Sequence, residues 1–284
     1  MRLIRNLLLR SAGSFPCGQE GYGYCIQQRN FASFVHPNKY KYPKRSTLSF
    51  VSILDNFGSY DSSCTRRSMT TAYTGEPGTG VDGLDKISYL PLETKLNNGD
   101  RVEIAPFREE DWVVGMELMN LIIREGRTWP FEEEFDSMDA YRGYFLSHAA
   151  LVVRALEQSG VDANGESYRA GDVLGCYYIK PNFPGRCSHI CNGGFITAPQ
   201  FRKMGVATIM GRSFIKIAKE LGYKSSYFNL VFKSNVASIR LWEALGFERV
   251  TVLENAARLV GVEGHDTAYG YRFDFESLPS DYKI

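Results

Sequence analysis

The sequence predicts an α/β fold of the α+β kind, with a mixed central sheet and helices on both of its faces. Three observations lead to this prediction. Short runs of alternating or continuous apolar residues, typical of strands, are separated by turns rich in Gly and Pro. Residues 204–221 place their apolar side chains on one face of a long helix. Residues 225–232 follow this helix closely and have the apolar composition of a buried strand.

The individual elements follow one another from residue 101 onwards. Strands are predicted at residues 101–106, 150–155, 173–180, 187–196, 225–232, 247–253 and near 268–273. Helices are predicted after Asp111, at residues 137–148 and 204–221, and after Asn235. Gly222 is expected to end the long helix, because Gly readily adopts the left-handed conformation found at helix C-termini.

The chain, at 284 residues, is long enough for one domain with an N-terminal extension. Residues 1–35 are rich in Arg and poor in acidic residues, which is typical of a mitochondrial targeting segment; the alternative is a disordered basic tail. A start at Met69 would also give a cytoplasmic form. Residues 36–90 are predicted to be a disordered linker, because they are mostly polar and rich in Ser, Thr and Gly. Residues 91–284 are predicted to form the domain.

Composition limits the partners of the chain. A net charge of only +1 argues against a nucleic-acid partner, and the absence of a run of 18 apolar residues argues against a membrane-spanning helix. Cys187, His189 and Cys191 alternate along a predicted strand, where side chains on one face are about 6–7 Å apart. This spacing is too wide for one tetrahedral metal ion, so we expect no metal site.

Residues 194–207 read as the end of a strand, a tight Gly-containing turn and the start of the long helix. The first N–H groups of a helix have no intrahelical acceptor, so they can bind an anion. Gly205 lets the backbone approach a ligand closely, and the small Ala207 leaves the first turn uncrowded. The segment therefore predicts a pyrophosphate-binding site.

Residues 235–247 read as a capped short helix, a Gly stop and a strand. Three features precede this segment in the chain: the motif Arg-x-x-Gly-x-Ala at residues 202–207, the long helix and a strand. Taken together in this order, the four features resemble the GNAT family of acetyl-CoA-dependent N-acetyltransferases. The resemblance covers residues from about 101 to 275. It implies a mostly antiparallel sheet in which the strands at 187–196 and 225–231 splay apart and admit the pantetheine arm of acetyl-CoA.

The resemblance also implies which residues bind this co-substrate. Backbone groups of Phe195 and Ile196 and the side-chain amide of Asn235 would contact the pantetheine arm. The pyrophosphate would lie against Arg202, Lys203, Gly205, Val206 and Ala207. In many family members a Tyr gives a proton to the leaving thiolate, but the matching position here is Trp242, whose indole N–H is not a usable acid.

Residues 174–195 and 221–235 further resemble fungal members of the family that acetylate the proline analogue L-azetidine-2-carboxylate and also carry Trp at this position. This resemblance implies catalytic and substrate-binding roles for Asn192 and Asn229, which are expected to face each other across the splayed strands. An amide can hold a small amino acid and polarise a carbonyl without carrying charge. The alternative is that both amides satisfy buried backbone groups.

Residues 125–130 match the family's substrate loop. Glu125 could act as a base on the acceptor, directly or through water, or it could be a surface acid at the end of a helix. Arg127 or Arg186 could pair with a substrate carboxylate, and the sequence does not choose between them.

These features predict an acetyl-CoA-dependent N-acetyltransferase in which the amine of a small secondary-amine amino acid attacks the thioester directly. Azetidine-2-carboxylate, hydroxyproline and pyrroline-5-carboxylate are the expected kinds of acceptor, and a mitochondrial location would suit proline metabolism or detoxification. One alternative is another amine, such as a polyamine, an antibiotic or a protein N-terminus. A second alternative is a non-catalytic acetyl-CoA-binding module. The resemblance also leaves open a homodimer.

Overall fold

The computed structural model describes residues 75–157, 160–162 and 164–284. The predictions of a targeting segment, of most of the linker and of a second start at Met69 lie outside the described residues. Within the described part, no helix has the length and apolar character needed to cross a membrane.

Four α-helices occur in the part of the chain that the structure describes, namely α1 (Trp112–Glu125), α2 (Met138–Phe145), α3 (Val206–Glu220) and α4 (Val236–Ala244). Their ends follow local chemistry. Gly126, with φ 62°, ends α1, and the Ser137 hydroxyl accepts the N–H of Ala140 at 3.3 Å where α2 begins. The second helix was predicted to reach residue 148, but it stops at Phe145 because Ala149 already belongs to the next strand.

The described strands form one eight-stranded sheet in the order β1-β2-β3-β4-β5-β6-β8-β7. The strands are β1 (Leu92–Lys95), β2 (Arg101–Pro106), β3 (Ala149–Ala155), β4 (Val173–Pro181), β5 (Ile190–Thr197), β6 (Ser225–Phe232), β7 (Glu248–Ala257) and β8 (Asp266–Asp274). All neighbours are antiparallel except β5 and β6, which confirms a mixed, mostly antiparallel sheet. The sequence did not predict β1, because this short edge strand is only half-buried and its apolar alternation is weak.

The parallel strands β5 and β6 touch along a short stretch. They pair only at Ile190 with Ser225 and at Cys191 with Ser226, and then diverge. The rest of both strands flanks a gap that opens from this point. The splayed pair implied by the family resemblance is therefore confirmed, although β5 begins three residues later than predicted because Gly185–Cys187 forms a 3₁₀ turn.

Helices cover both faces of the sheet, as predicted. Phe214 of α3 and Trp242 of α4 are buried in the core on one face, and Met119 of α1 and Tyr141 of α2 are buried on the other. The helices thus pack on both faces of the sheet, and the sheet itself is interrupted where β5 and β6 separate.

The described end of the predicted linker belongs to the domain. We expected a linker up to residue 90, but Leu84 and Ile87 are buried in the core. The Gly80 N–H donates to the Leu146 carbonyl at 2.9 Å, and the Gly80 carbonyl accepts from Ala150 at 2.6 Å. Residues 75–90 therefore pack against the domain, because their few apolar side chains find a place at the edge of the core.

Candidate active site

The start of α3 is a concave run of backbone amides. Lys203 and Gly205 both adopt positive φ angles, 67° and 95°, next to the helical Val206. Alternation of left-handed and helical residues turns successive N–H groups inward, which is the geometry of an anion-binding nest. Among the described residues, no protein group accepts a hydrogen bond from the N–H groups of residues 203–207. These amides fit a pyrophosphate group.

Gly205 is required by the geometry of this cradle. Its φ of 95° is strained for any side chain, and a Cβ there would lie 2.7 Å from Oδ1 of Asn97. Ala207 is half-buried on the first turn of α3 and adds little bulk beside the amides. The predicted residues Lys203, Gly205, Val206 and Ala207 therefore lie together at one helix N-terminus.

Arg202, predicted for the pyrophosphate, is paired with Glu125. The Nη2 atom of Arg202 donates to both carboxylate oxygens of Glu125, at 3.0 Å and 2.8 Å. Glu125 thus lies beside the amide cradle at the end of α1, and it is not among the residues that line the cleft in the gap between β5 and β6. Arg127 does not line the cleft either; its Nη2 lies near the hairpin between β7 and β8, at Gly261. Neither Glu125 nor Arg127, both expected to contact the acceptor, therefore lines this cleft.

A cleft of about 120 Å³ occupies the gap between the splayed strands. Four residues predicted for the site line it: Asn192, Phe195, Asn229 and Asn235. The loop predicted to contact substrate also contributes, but through Thr128, Trp129 and Pro130. Among the lining residues, none carries a charged side chain, so the cleft is aromatic and amide-lined.

The two predicted asparagines line the cleft from opposite strands, Asn192 from β5 and Asn229 from β6. Asn229 lies where β6 shifts its register against β8, between Phe228 and Val231, and such bulges redirect side chains. The Asn192 side-chain oxygen accepts the N–H of Gly193 at 2.9 Å.

Asn182 is a cleft-supporting residue that sequence reasoning missed. Its side chain exchanges two hydrogen bonds with Asn229, each 2.8 Å long, and it is 3% exposed. It follows β4 in a segment rich in Pro and Gly, which on its own indicates only a turn. The two hydrogen bonds fix the orientation of the Asn229 amide, whose residue lines the cleft.

Asn235 is both a helix cap and a residue of the cleft wall. Its side-chain oxygen caps α4 by accepting the N–H of Ser238 at 3.3 Å, and the residue also lines the cleft. Phe195 and Trp242 pack together there, with ring centres 4.8 Å apart. Trp242 is 4% exposed: it packs in the hydrophobic core and also lines the cleft.

An aromatic wall closes the cleft on the α2 side. The indole N–H of Trp129 donates to the hydroxyl of Tyr144 at 2.9 Å, and the hydroxyls of Tyr144 and Tyr178 are 3.1 Å apart. Gly194 lies opposite Tyr178 on β5, where a Cβ would approach the Tyr178 ring to 2.5 Å. The glycine therefore lets the aromatic wall contact the strand that lines the cleft.

Lys180 stands behind this wall and was also missed. Its Nζ donates to the Tyr144 carbonyl at 2.6 Å and lies 4.0 Å and 4.4 Å from the ring centres of Tyr144 and Tyr178. Burial lowers the pKa of Lys180 to about 7. The available signal was a lysine at the end of an apolar strand, which the burial of β4 makes unusual.

The Cys-x-His-x-Cys run does not form a metal site. Cys187 and His189 are exposed in the turn before β5, whereas Cys191 is buried. Burial also raises the pKa of the Cys191 thiol. Within the described part of the chain, no cluster of three or more His, Cys, Asp or Glu side chains could hold a metal ion.

Comparisons with known proteins agree with this geometry. The model of the acetyltransferase (GNAT) family matches residues 117–247. N-acetyltransferase aca1 of Schizosaccharomyces pombe is 39% identical over 164 residues, which cover 56% of this chain and 78% of that protein. Protein SPT10 of Saccharomyces cerevisiae is 33% identical over 105 residues, 37% of this chain but only 16% of that protein.

Solved structures share the fold. A GCN5-related N-acetyltransferase from Kribbella flavida superposes with a TM-score of 0.51 at 22% identity, covering 61% of this chain and 97% of that one. The yncA structure from Salmonella typhimurium, which contains its cofactor acetyl-CoA, has a TM-score of 0.51 at 14% identity and covers 64% and 98% of the two chains. The fold and the amide cradle define an acetyl-CoA-dependent N-acetyltransferase. The chain belongs to the GNAT family.

Proposed function

We propose that this acetyltransferase acts on a small amino acid with a secondary amine, of the azetidine-2-carboxylate, hydroxyproline or pyrroline-5-carboxylate type. The observation that carries the proposal is the small, uncharged cleft between β5 and β6, lined by aromatic rings and by Asn192 and Asn229. Aromatic walls suit the apolar ring of such an acceptor, and amides can accept or donate hydrogen bonds to its polar groups.

In the proposed reaction the chain positions two substrates. The amides of residues 203–207 would hold the pyrophosphate of acetyl-CoA, and the Lys203 side chain would add positive charge there. Backbone groups of Phe195 and Ile196 and the amide of Asn235 would hold the pantetheine arm. When bound, acetyl-CoA supplies the acetyl group as an activated thioester.

Asn192 and Asn229 would orient the acceptor amine and polarise the carbonyl that it attacks. Transfer is proposed to be direct, because no cysteine is among the residues that line the cleft. The buried thiols of Cys176 and Cys191 have raised pKa values, so they are poor nucleophiles at neutral pH.

The cleft argues against a polyamine acceptor, which needs clustered carboxylates for its ammonium groups. The acidic run near residue 132 does not supply them. Glu132 pairs with Arg258 at 3.0 Å, and Glu134 pairs with Arg124. None of the residues that line the cleft is Asp or Glu.

The test is a turnover assay on the purified full chain with acetyl-CoA and a panel of amines, read as release of free CoA thiol. We expect turnover with azetidine-2-carboxylate or a hydroxyproline to exceed that with spermidine and with a peptide bearing a free N-terminus. Asn192→Ala and Asn229→Ala are expected to reduce this turnover while acetyl-CoA affinity, measured by calorimetry, changes little. Faster turnover of spermidine or of the peptide would refute the proposed acceptor.

Location and assembly are further parts of the proposal. We propose that residues 1–35 direct the protein to mitochondria, where its acceptor would belong to proline metabolism or detoxification, and that a start at Met69 gives a cytoplasmic form. Microscopy of full-length and Met69-start fusions tests this. Sedimentation of the purified chain tests the homodimer that the family resemblance leaves open.

A further inference from the structure

Lys180 is a fully buried amine beside the acceptor cleft, and the reaction described above does not use it. It is 0% exposed and lies near the end of β4, where its register partner on β5 is Asn192. Partners in antiparallel strands project to the same face of a sheet, with Cβ atoms about 4.5–5.5 Å apart. Lys180 therefore stands next to a residue that lines the cleft.

The contacts of Lys180 belong to the wall of the cleft. Its Nζ donates to the Tyr144 carbonyl at 2.6 Å and lies over the rings of Tyr144 and Tyr178. Both tyrosines line the cleft, and their hydroxyls are 3.1 Å apart. The ammonium is thus held against the ring faces of the two tyrosines that form this wall.

No acidic side chain neutralises Lys180 within the described residues. Among them no Asp or Glu oxygen forms an ion pair with its Nζ; its polar partner is a backbone carbonyl, supplemented by two ring faces. A buried ammonium without a counter-ion is costly, and its attraction for an anion is strong where water is excluded. The cleft residues also carry no charge of their own. An anionic group entering this cleft would therefore find in Lys180 a positive charge that no residue of the cleft lining supplies.

We propose that Lys180 is a positioning residue for the carboxylate of the acceptor: its positive charge, acting through the Tyr144–Tyr178 wall beside Asn192, selects amines that carry a neighbouring carboxylate over neutral amines of the same shape. The proposal rests on the proposed function, because a secondary-amine amino acid carries this carboxylate. It adds that the selection depends on charge behind the wall and not on a charged side chain in contact with the substrate.

The experiment compares azetidine-2-carboxylate with azetidine-2-carboxamide, which has the same ring but no negative charge. The full-length wild type, Lys180→Met and Lys180→Gln are assayed for CoA release at pH 6, where an amine with a pKa of about 7 is mostly protonated and carries the charge that the proposal requires. Lys216→Met is the matched control, because Lys216 also lies over a tyrosine ring, 4.8 Å from the centre of Tyr89, but outside the cleft. Thermal melting and acetyl-CoA binding confirm that each variant is folded.

We expect Lys180→Met and Lys180→Gln to raise KM for the carboxylate at least fivefold while kcat changes less than twofold. KM for the carboxamide should change less than twofold, and Lys216→Met should behave like the wild type. Equal losses on both acceptors, a loss confined to kcat, or no loss would overturn the inference about Lys180. A wild type that acetylates neither acceptor but turns over another amine would instead overturn the proposed function.

Discussion

Replacement of Lys180 by methionine is expected to change how the stability of the protein depends on pH. Burial lowers the pKa of Lys180 from 10.5 to about 7 in the folded chain, whereas the unfolded chain exposes the amine to water. Between these two values the unfolded state binds more protons than the folded state. Stability of the wild type therefore rises as the pH increases from about 7 toward 10.5, and the uncharged thioether of the Lys180→Met variant cannot contribute to this rise.

The size of the effect follows from the two pKa values. The buried amine lowers the free energy of unfolding by about 4 kcal/mol at pH 7 and by about 2 kcal/mol at pH 9. The stability difference between wild type and Lys180→Met should therefore shift by about 2 kcal/mol in favour of the wild type between these pH values. The lost hydrogen bond to Tyr144 does not depend on pH, so it cancels from this comparison.

The assay is urea unfolding of both proteins at pH 7 and pH 9, followed by circular dichroism. Other groups that titrate in this range are common to both proteins and cancel in the double difference. A double difference below about 0.5 kcal/mol, under half the change expected for one unit of pKa shift, would refute the reasoning. It would mean that the rings of Tyr144 and Tyr178 keep the ammonium fully charged in spite of its burial.

Three further predictions concern the cleft and the amide cradle. Asn182→Ala removes the hydrogen-bonding partner of the Asn229 amide, which should lower the free energy of unfolding by about 1–3 kcal/mol. We expect kcat/KM for the acceptor to fall about tenfold or more. An equal fall in acetyl-CoA affinity, measured by calorimetry, would contradict this prediction. Gly205→Val should lower acetyl-CoA affinity at least tenfold. Gly99→Val is the control, because Gly99 has a similar φ of 92° but open space around a Cβ, so this variant should lose stability but keep its affinity. Equal acetyl-CoA affinities in the two variants would show that the pyrophosphate binds elsewhere. Glu125→Gln removes the ion pair that holds the half-exposed Arg202, so acetyl-CoA binding should become about two- to fivefold tighter at low salt. The gain in affinity should shrink as salt is added. Weaker binding at low salt would instead show that Glu125 positions Arg202.

The amide cradle at the start of α3 could be predicted because its geometry is local. Gly205 and the first amides of α3 are neighbours in the chain, and the left-handed turn that exposes them depends on residues within one helical turn. The caps at Ser137 and Asn235 are local in the same way. The splayed strands came from the family resemblance, since no periodicity in the sequence indicates where two strands separate.

The acceptor side was predicted in part. Asn192 and Asn229 line the cleft as expected, but Glu125 does not, because the cradle residue Arg202 binds its carboxylate. That pairing joins residues 77 positions apart in the chain. Asn182 could not be predicted for a similar reason, since its partner Asn229 lies 47 residues away in the chain.

By itself, the sequence determined the order of helices and strands in the domain, the exposed backbone amides at the start of the long helix and the family. These properties depend on apolar periodicity, Gly positions and caps, which act over a few residues. Only the tertiary structure decided which polar groups meet at the cleft: Lys180 behind two tyrosines, Asn182 against Asn229, and Glu125 beside the cradle. The physical reason is that burial and charge pairing are set by strand register and helix packing, which bring together side chains that the chain keeps far apart.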